Sequence, residues 1–80
     1  MRVSYAGASA ATNHRRVASI RYDIHKPEEM AAARTAADCL EQFGWNKIAD
    51  RPGEFLFEVH DRDEYDVFVT DYKRLTKGVT

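Results

Sequence analysis

Apolar and polar positions alternate over residues 16–24: Ala18, Ile20, Tyr22 and Ile24 fall on one side of an extended chain, Val17, Ser19, Arg21 and Asp23 on the other. Period two predicts a strand with one buried face. At Pro27 the period changes. Met30, Ala33, Ala37, Leu40 and Phe43 recur at steps of three and four, the stripe of an amphipathic helix. Pro27 suits the first position of that helix, and Glu28 with Glu29 suits its positive end. Gly44 is placed to stop it as a left-handed cap, with Trp45 supplying the apolar contact that accompanies such caps.

A hairpin follows, with arms over residues 45–51 and 54–60 and a turn at Pro52-Gly53. Arg51 opposite Glu54 would put Lys47 opposite Glu58 and Ile48 opposite Phe57, two opposite-charge pairs and one apolar pair. Pro-Gly prefers a type II turn, which two-residue hairpins seldom use, so a longer loop is the competing expectation. The last element is a helix. Asp61 and Glu64 form an Asp-x-x-Glu capping box, and Tyr65, Phe68, Val69, Tyr72 and Leu75 follow at helical spacing. Lys73, Arg74 and Lys77 suit its negative end, and Gly78 its stop.

Strand, helix, strand, strand, helix predicts an α+β fold: a small two-layer sandwich with two helices on one face of an antiparallel sheet. The order βαββα matches a ferredoxin-like split βαβ whose final strand is missing or reduced to residues 77–80. Residues 1–14 read as a flexible arm or a short extra edge strand, and residues 15–80 as a single domain. With helices over Ile20, Tyr22, Phe55 and Phe57, the opposite face would show Val17, Trp45, Ala49 and Leu56. That apolar strip among charges predicts an interface, for which a homodimer through this face or a sheet edge is the simplest use. Cover by Val3 and Tyr5 is the alternative.

Eighty residues hold one small core, supplemented in many such domains by metal, disulfides or a partner. Cys39 is the single cysteine, so a disulfide within the chain is excluded and only a bridge between two copies remains. No apolar run approaches the roughly 20 residues of a membrane span, and no signal or lipidation motif is visible, which together predict a cytoplasmic location.

The net charge of −1 conceals a sorting of charge. Seven acidic residues and one arginine lie between Glu54 and Asp71, whereas the first 26 residues carry five basic groups and one acid. Such sorting bears on surfaces and partners. Asp61, Asp63 and Glu64 have work at a helix start, and Glu54 with Glu58 has partners across the hairpin, which leaves Asp66 and Asp71 unexplained. Glu54, Glu58, Asp63, Asp66 and Asp71 are therefore the candidate partner-binding groups, suited to a basic groove on another protein. Arg15, Arg16 and Arg21, with His14 and Lys26, are the candidate phosphate contacts of an alternative, a nucleic-acid-binding accessory protein.

No glycine-rich phosphate loop, nucleophile elbow or zinc spacing is present, and no cofactor or metal is predicted. His25 and His60 belong at opposite ends of the sheet. The expected function is thus a non-enzymatic protein-binding module that regulates or inhibits a larger partner. In size and charge the chain resembles the small acidic α+β proteins of phages and mobile elements that disable host defence, anti-CRISPR inhibitors among them. The run Arg21-Tyr22-Asp23-Ile24 resembles the first strand of the small ferredoxin-like nuclease subunit of CRISPR spacer integration, which implies a metal near Asp23. That resemblance covers four residues and the topology, and no second acid is placed to complete the site; a metal-dependent nuclease is the remote alternative.

Overall fold

Ile20 does sit in a strand, but a shorter one than its alternation suggests, and a strand from the N terminus lies beside it. The computed structural model describes residues 1–12 and 14–77. The elements are β1 (Arg2–Ala6), a 3-10 turn (Ala10–Thr12), β2 (Val17–Arg21), α1 (Pro27–Gln42), β3 (Lys47–Arg51), β4 (Glu54–Glu58) and α2 (Arg62–Thr76). They form a two-layer α+β sandwich with an antiparallel four-stranded sheet ordered β1-β2-β4-β3. β4 lies between β2 and β3, so those two run parallel. The fourth strand comes from the N terminus, where a ferredoxin-like order would draw it from the chain after α2. The Gly78 stop, and all of the reduced last strand except Lys77, fall outside the described residues.

Helix ends follow local chemistry. Gly44 has φ 102°, and the bonds Gly44 N to Glu41 O (3.0 Å) and Trp45 N to Leu40 O (3.1 Å) complete a Schellman cap. Asp61 caps α2 by accepting from Glu64 N at 2.9 Å. Glu64 returns a bond one residue early, to His60 N at 3.2 Å. The hairpin turn is two residues long after all. Gly53 has φ 85°, the value a type II turn requires at its third position.

The core lies between the helices and one sheet face: Ala18 and Ile20 of β2, Phe55 and Phe57 of β4, Val59, Ala33, Ala37 and Leu40 of α1, and Phe68 of α2. Phe55, Phe57 and Phe68 are its largest fully buried rings, each contributing roughly 1.5–3 kcal/mol by burial. Two members of the expected α1 stripe stay outside: Met30 and Phe43 are exposed, and Ala36 is buried instead. The Schellman cap turns Trp45 rather than Phe43 into the core, where its ring meets Phe68 edge-on at 5.1 Å.

β3 departs from the expected register because it is bulged. Arg51 does face Glu54, but Lys47 faces Phe57 and Ala49 faces Leu56, with Ile48 in the irregularity between them. Lys47 and Asp50 thereby turn to the helix side. Lys47 bonds Glu41 at 2.7 Å and lies 3.5 Å from Asp50, Arg34 bonds Asp50 at 3.0 Å, and both cations stand over the Phe55 ring. The Glu41 carboxylate first, and Asp50 behind it, hold the Lys47 ammonium above its ordinary pKa. These charges close the sheet edge over the core.

The other sheet face is also covered. Val17 is 0% and Leu56 4% exposed, and Ser19 is buried beside them. Thr12, itself buried, lines a shallow cleft of about 300 Å³ with Arg15, Ile48, Ala49, Arg51 and Leu56, so the connection from β1 to β2 crosses this face. Thr12 is able to lie there because its hydroxyl is satisfied locally, donating to Ser9 O (3.1 Å) and accepting from Ser9 N (3.0 Å). The expected exposed strip of Val17, Trp45 and Leu56 is therefore corrected. Val17 and Leu56 lie under the connection, and Trp45 belongs to the helix layer. Val3 and Tyr5, the alternative cover, pack on the helix side against the core.

Candidate functional site

Three chain crossings converge at one end of the sheet. α1 stops at its Schellman cap, β4 runs out through Val59 and His60 into the α2 cap, and the β1–β2 connection returns through His14. Between them lies a cleft of about 630 Å³, lined by Ala8, His14, Arg15, Arg16, Gly44, Trp45, Asn46, Glu58, Val59, His60 and Glu64. Its volume falls within the range of ligand and peptide sites, roughly 300–1,000 Å³.

His14 is the one non-glycine among the described residues with positive φ, 62°. A left-handed backbone costs roughly 1–2 kcal/mol outside glycine. Here it closes the 3-10 turn, with His14 N donating to Ser9 O at 2.7 Å, and it brings the residue to the cleft wall. The cleft's charged groups are held by each other and by backbone. Arg15 Nη1 bonds Glu58 Oε2 at 2.7 Å, Arg16 Nη1 donates to His60 O at 3.1 Å, and Val59 N donates to Arg16 O at 3.0 Å. The walls thus present preformed donors and acceptors of both signs. Beside them Phe43, the neighbour of Gly44, is 60% exposed.

The predicted partner-binding acids separate into engaged and available groups. Glu54 takes Arg21 Nε at 3.1 Å, Ser19 Oγ at 3.0 Å and Arg51 Nη1 at 3.7 Å. Glu58 is bonded to Arg15 rather than to Lys47. Asp71, half-buried, accepts the Trp45 indole N–H at 3.0 Å and so belongs to the core's polar margin. Asp63 and Asp66 are exposed, Asp66 with Arg62 at 3.9 Å. The five acids therefore do not share one surface. Of the basic candidates, Arg15 and Arg16 meet at the cleft, whereas Arg21 lies at the far end of β2.

Asp23 sits in a turn, where its carboxylate accepts from His25 N at 2.8 Å. No group of three His, Cys, Asp or Glu among the described residues is placed to hold a metal ion. That His14 and His60 line one cleft is not marked in the sequence, because the left-handed position is held by His14 itself and not by a glycine or asparagine. The exposure of Phe43 is unmarked for the opposite reason, since its spacing fits the core stripe.

No protein-family model matches the chain, and no curated protein or solved structure does either. No helix among the described residues is long and apolar enough to cross a membrane.

Proposed function

We propose that the chain is a small binding module that holds a segment of a partner protein at the end of the sheet where the cleft and Phe43 meet. The observation that carries this is the combination of a 630 Å³ cleft of mixed charge with a large aromatic ring left 60% exposed beside it. A polar cleft of both signs suits a peptide backbone and its side chains, and an exposed aromatic next to it suits an apolar anchor. Val67, 55% exposed, extends the apolar area. It lies one helical turn before Asp71, whose bond to Trp45 draws this flank of α2 toward the chain around Phe43. Asp63 stands one turn before Val67 and supplies an exposed acid at the rim, which favours a basic residue in the partner. The lining charges already have partners, which supports positioning and holding over proton transfer. Regulation or inhibition of a larger protein, anti-defence proteins of mobile elements included, is the use that size and charge suggest.

The test is capture on immobilised protein, comparing wild type with Phe43→Ser and Asp63→Lys, both at exposed sites, with circular dichroism confirming the fold because Asp63 also serves the first turn of α2. Loss of the same protein from both variants is the expected result. Equal capture by all three removes the reading. Arg15, Arg16, His14 and His60 at one cleft favour a second reading, nucleic-acid binding. It predicts nucleic acid in the eluate, lost as salt rises and absent with Arg16→Glu.

A further inference from the structure

The bulge in β3 also shapes the sheet face turned away from the helices. Lys47 faces Phe57 and Ala49 faces Leu56, so Ile48 and Ala49 together stand against one residue of β4. Strict alternation would put only one of two successive residues on a given face. A bulge re-aims the side chain it inserts, and bulges are frequent beside binding sites. Here Ile48 and Ala49 both reach the outer cleft of about 300 Å³, where Leu56 joins them.

The rest of the wall has a single sign of charge. Thr12 adds no free polar group, since its hydroxyl is engaged by Ser9. What remains is Arg15 from the β1–β2 connection and Arg51 from the end of β3, and no acidic residue among the described ones lines this cleft. The larger cleft, by contrast, sets Glu58 and Glu64 beside its two arginines. Each guanidinium carries five N–H donors in a planar fork, and both here are half-exposed with donors left over. Arg15 gives Nη1 to Glu58 at 2.7 Å. Arg51 Nη1 stands 3.7 Å from Glu54, too far for a hydrogen bond, and that carboxylate already accepts from Ser19 at 3.0 Å and Arg21 at 3.1 Å.

We propose that this cleft binds a small free carboxylic acid with an apolar body, aromatic or branched. Each part of such a ligand answers a part of the wall. The body covers Ile48, Ala49 and Leu56, and the carboxylate takes N–H groups of Arg51 and Arg15, whose forks match its planar geometry. A cation is repelled by both arginines, and a neutral body leaves their donors to water. At about 30 Å³ for each water, the cleft has room for about ten non-hydrogen atoms. That is one ring or branched chain with its head group, and too little for a nucleotide. A ligand of about ten atoms implies a Kd of about 1 mM or tighter. The site is separate from peptide capture at the larger cleft. Arg15 lines both clefts, whereas Arg51, Ile48, Ala49 and Leu56 line only the smaller one.

NMR titration of the labelled full chain tests this, with phenylacetate as the probe, phenylacetamide as its neutral match in size, and acetate as the head group alone. Phenylacetate is expected to shift the Ile48, Ala49 and Leu56 methyl signals saturably, and the other two to bind at least about tenfold more weakly. Arg51→Gln should weaken phenylacetate about tenfold with circular dichroism unchanged, and Phe43→Ser should leave it as in wild type. Equal affinity for the acid and the amide overturns the proposal, and that comparison needs no variant. So does the absence of saturable shifts up to about 10 mM, binding that ignores Arg51→Gln, or shifts confined to the larger cleft at Asn46 and Val59. An acetylated Gly-Gly-Phe peptide that binds about tenfold more tightly than phenylacetate gives the cleft to the end of a protein chain, and equally overturns it.

Discussion

Replacing Asp71 by alanine should destabilise the fold, although the residue lies on an outer helix and carries a charge. Its carboxylate accepts the indole N–H of Trp45 at 3.0 Å, and the Trp45 ring meets Phe68 edge-on at 5.1 Å. Phe68 is fully buried against Phe57, so the bond sets how a core aromatic pair is oriented. A hydrogen bond to an ionised group contributes about 1.5–3 kcal/mol, and the low end applies because Trp45 is half-buried and water reaches part of it. About 1.5 kcal/mol corresponds to roughly 6–12 °C in Tm for a domain of this size. Asp71→Asn keeps a neutral acceptor and should lose about half as much. Trp45 is the sole tryptophan, so urea unfolding followed by its fluorescence reads both stability and the local environment of the ring. A double-mutant cycle with Trp45→Phe, followed by circular dichroism, isolates the pair. Wild-type midpoints and emission maxima for both Asp71 variants would refute the structural assignment and return Asp71 to the candidate partner-binding surface.

Gly53→Ala should cost about 1–2 kcal/mol through its φ of 85°, with the neighbouring atoms no closer than 3.5 Å to an added Cβ; a melting temperature equal to wild type contradicts this. Phe68→Ala, removing the aromatic centre shared by Trp45 and Phe57, should cost about 3–5 kcal/mol and leave little cooperative transition in calorimetry. Glu29 is held below its usual carboxylate pKa of 4.5, chiefly by the N-terminal amine that bonds it at 2.6 Å and next by the Asp23 N–H. A depressed folded-state pKa gives stability that is present above the unfolded value and lost as pH falls through the folded one. Wild type should therefore lose more stability than Glu29→Gln on acidification below about pH 4.5, and parallel acid-unfolding curves would count against the tie. Tyr72 behaves in the opposite sense: burial first, and the Glu29 charge second, raise its phenol above 10.0, so its alkaline spectrophotometric titration should lag that of free tyrosine.

Much of the local structure was legible because its causes act over a few residues. The Asp61 cap needs only Glu64 three positions on, and the Gly44 cap needs only Leu40, Glu41 and Trp45. The same logic misplaced Phe43, whose spacing suits the stripe but which stands one residue before a left-handed glycine that redirects the chain. The bulge at Ile48 was invisible because alternation counts residues evenly, and one uneven step moved Lys47 and Asp50 to the helix side. The candidate site was less legible still. Its walls come from the chain around His14, Trp45 and His60, and no pattern within any one of those segments refers to the other two.

The sequence by itself determined where both helices begin and where α1 ends, which face of β2 and of β4 meets the helices, and that charge is sorted along the chain. Only the tertiary structure decided what that sorting does. β2 lies beside β4, so the basic strand and the acidic strand neutralise each other through Arg15 with Glu58, 43 positions apart, and Arg21 with Glu54, 33 apart. Part of what reads along the chain as two opposed patches is thus two ion pairs across adjacent strands, and the remaining acids belong to α2 and its cap. The physical reason is that periodicity and capping depend on separation along the backbone, whereas Coulomb attraction and burial depend on separation in space. Which strand becomes whose neighbour is settled by packing the whole core at once.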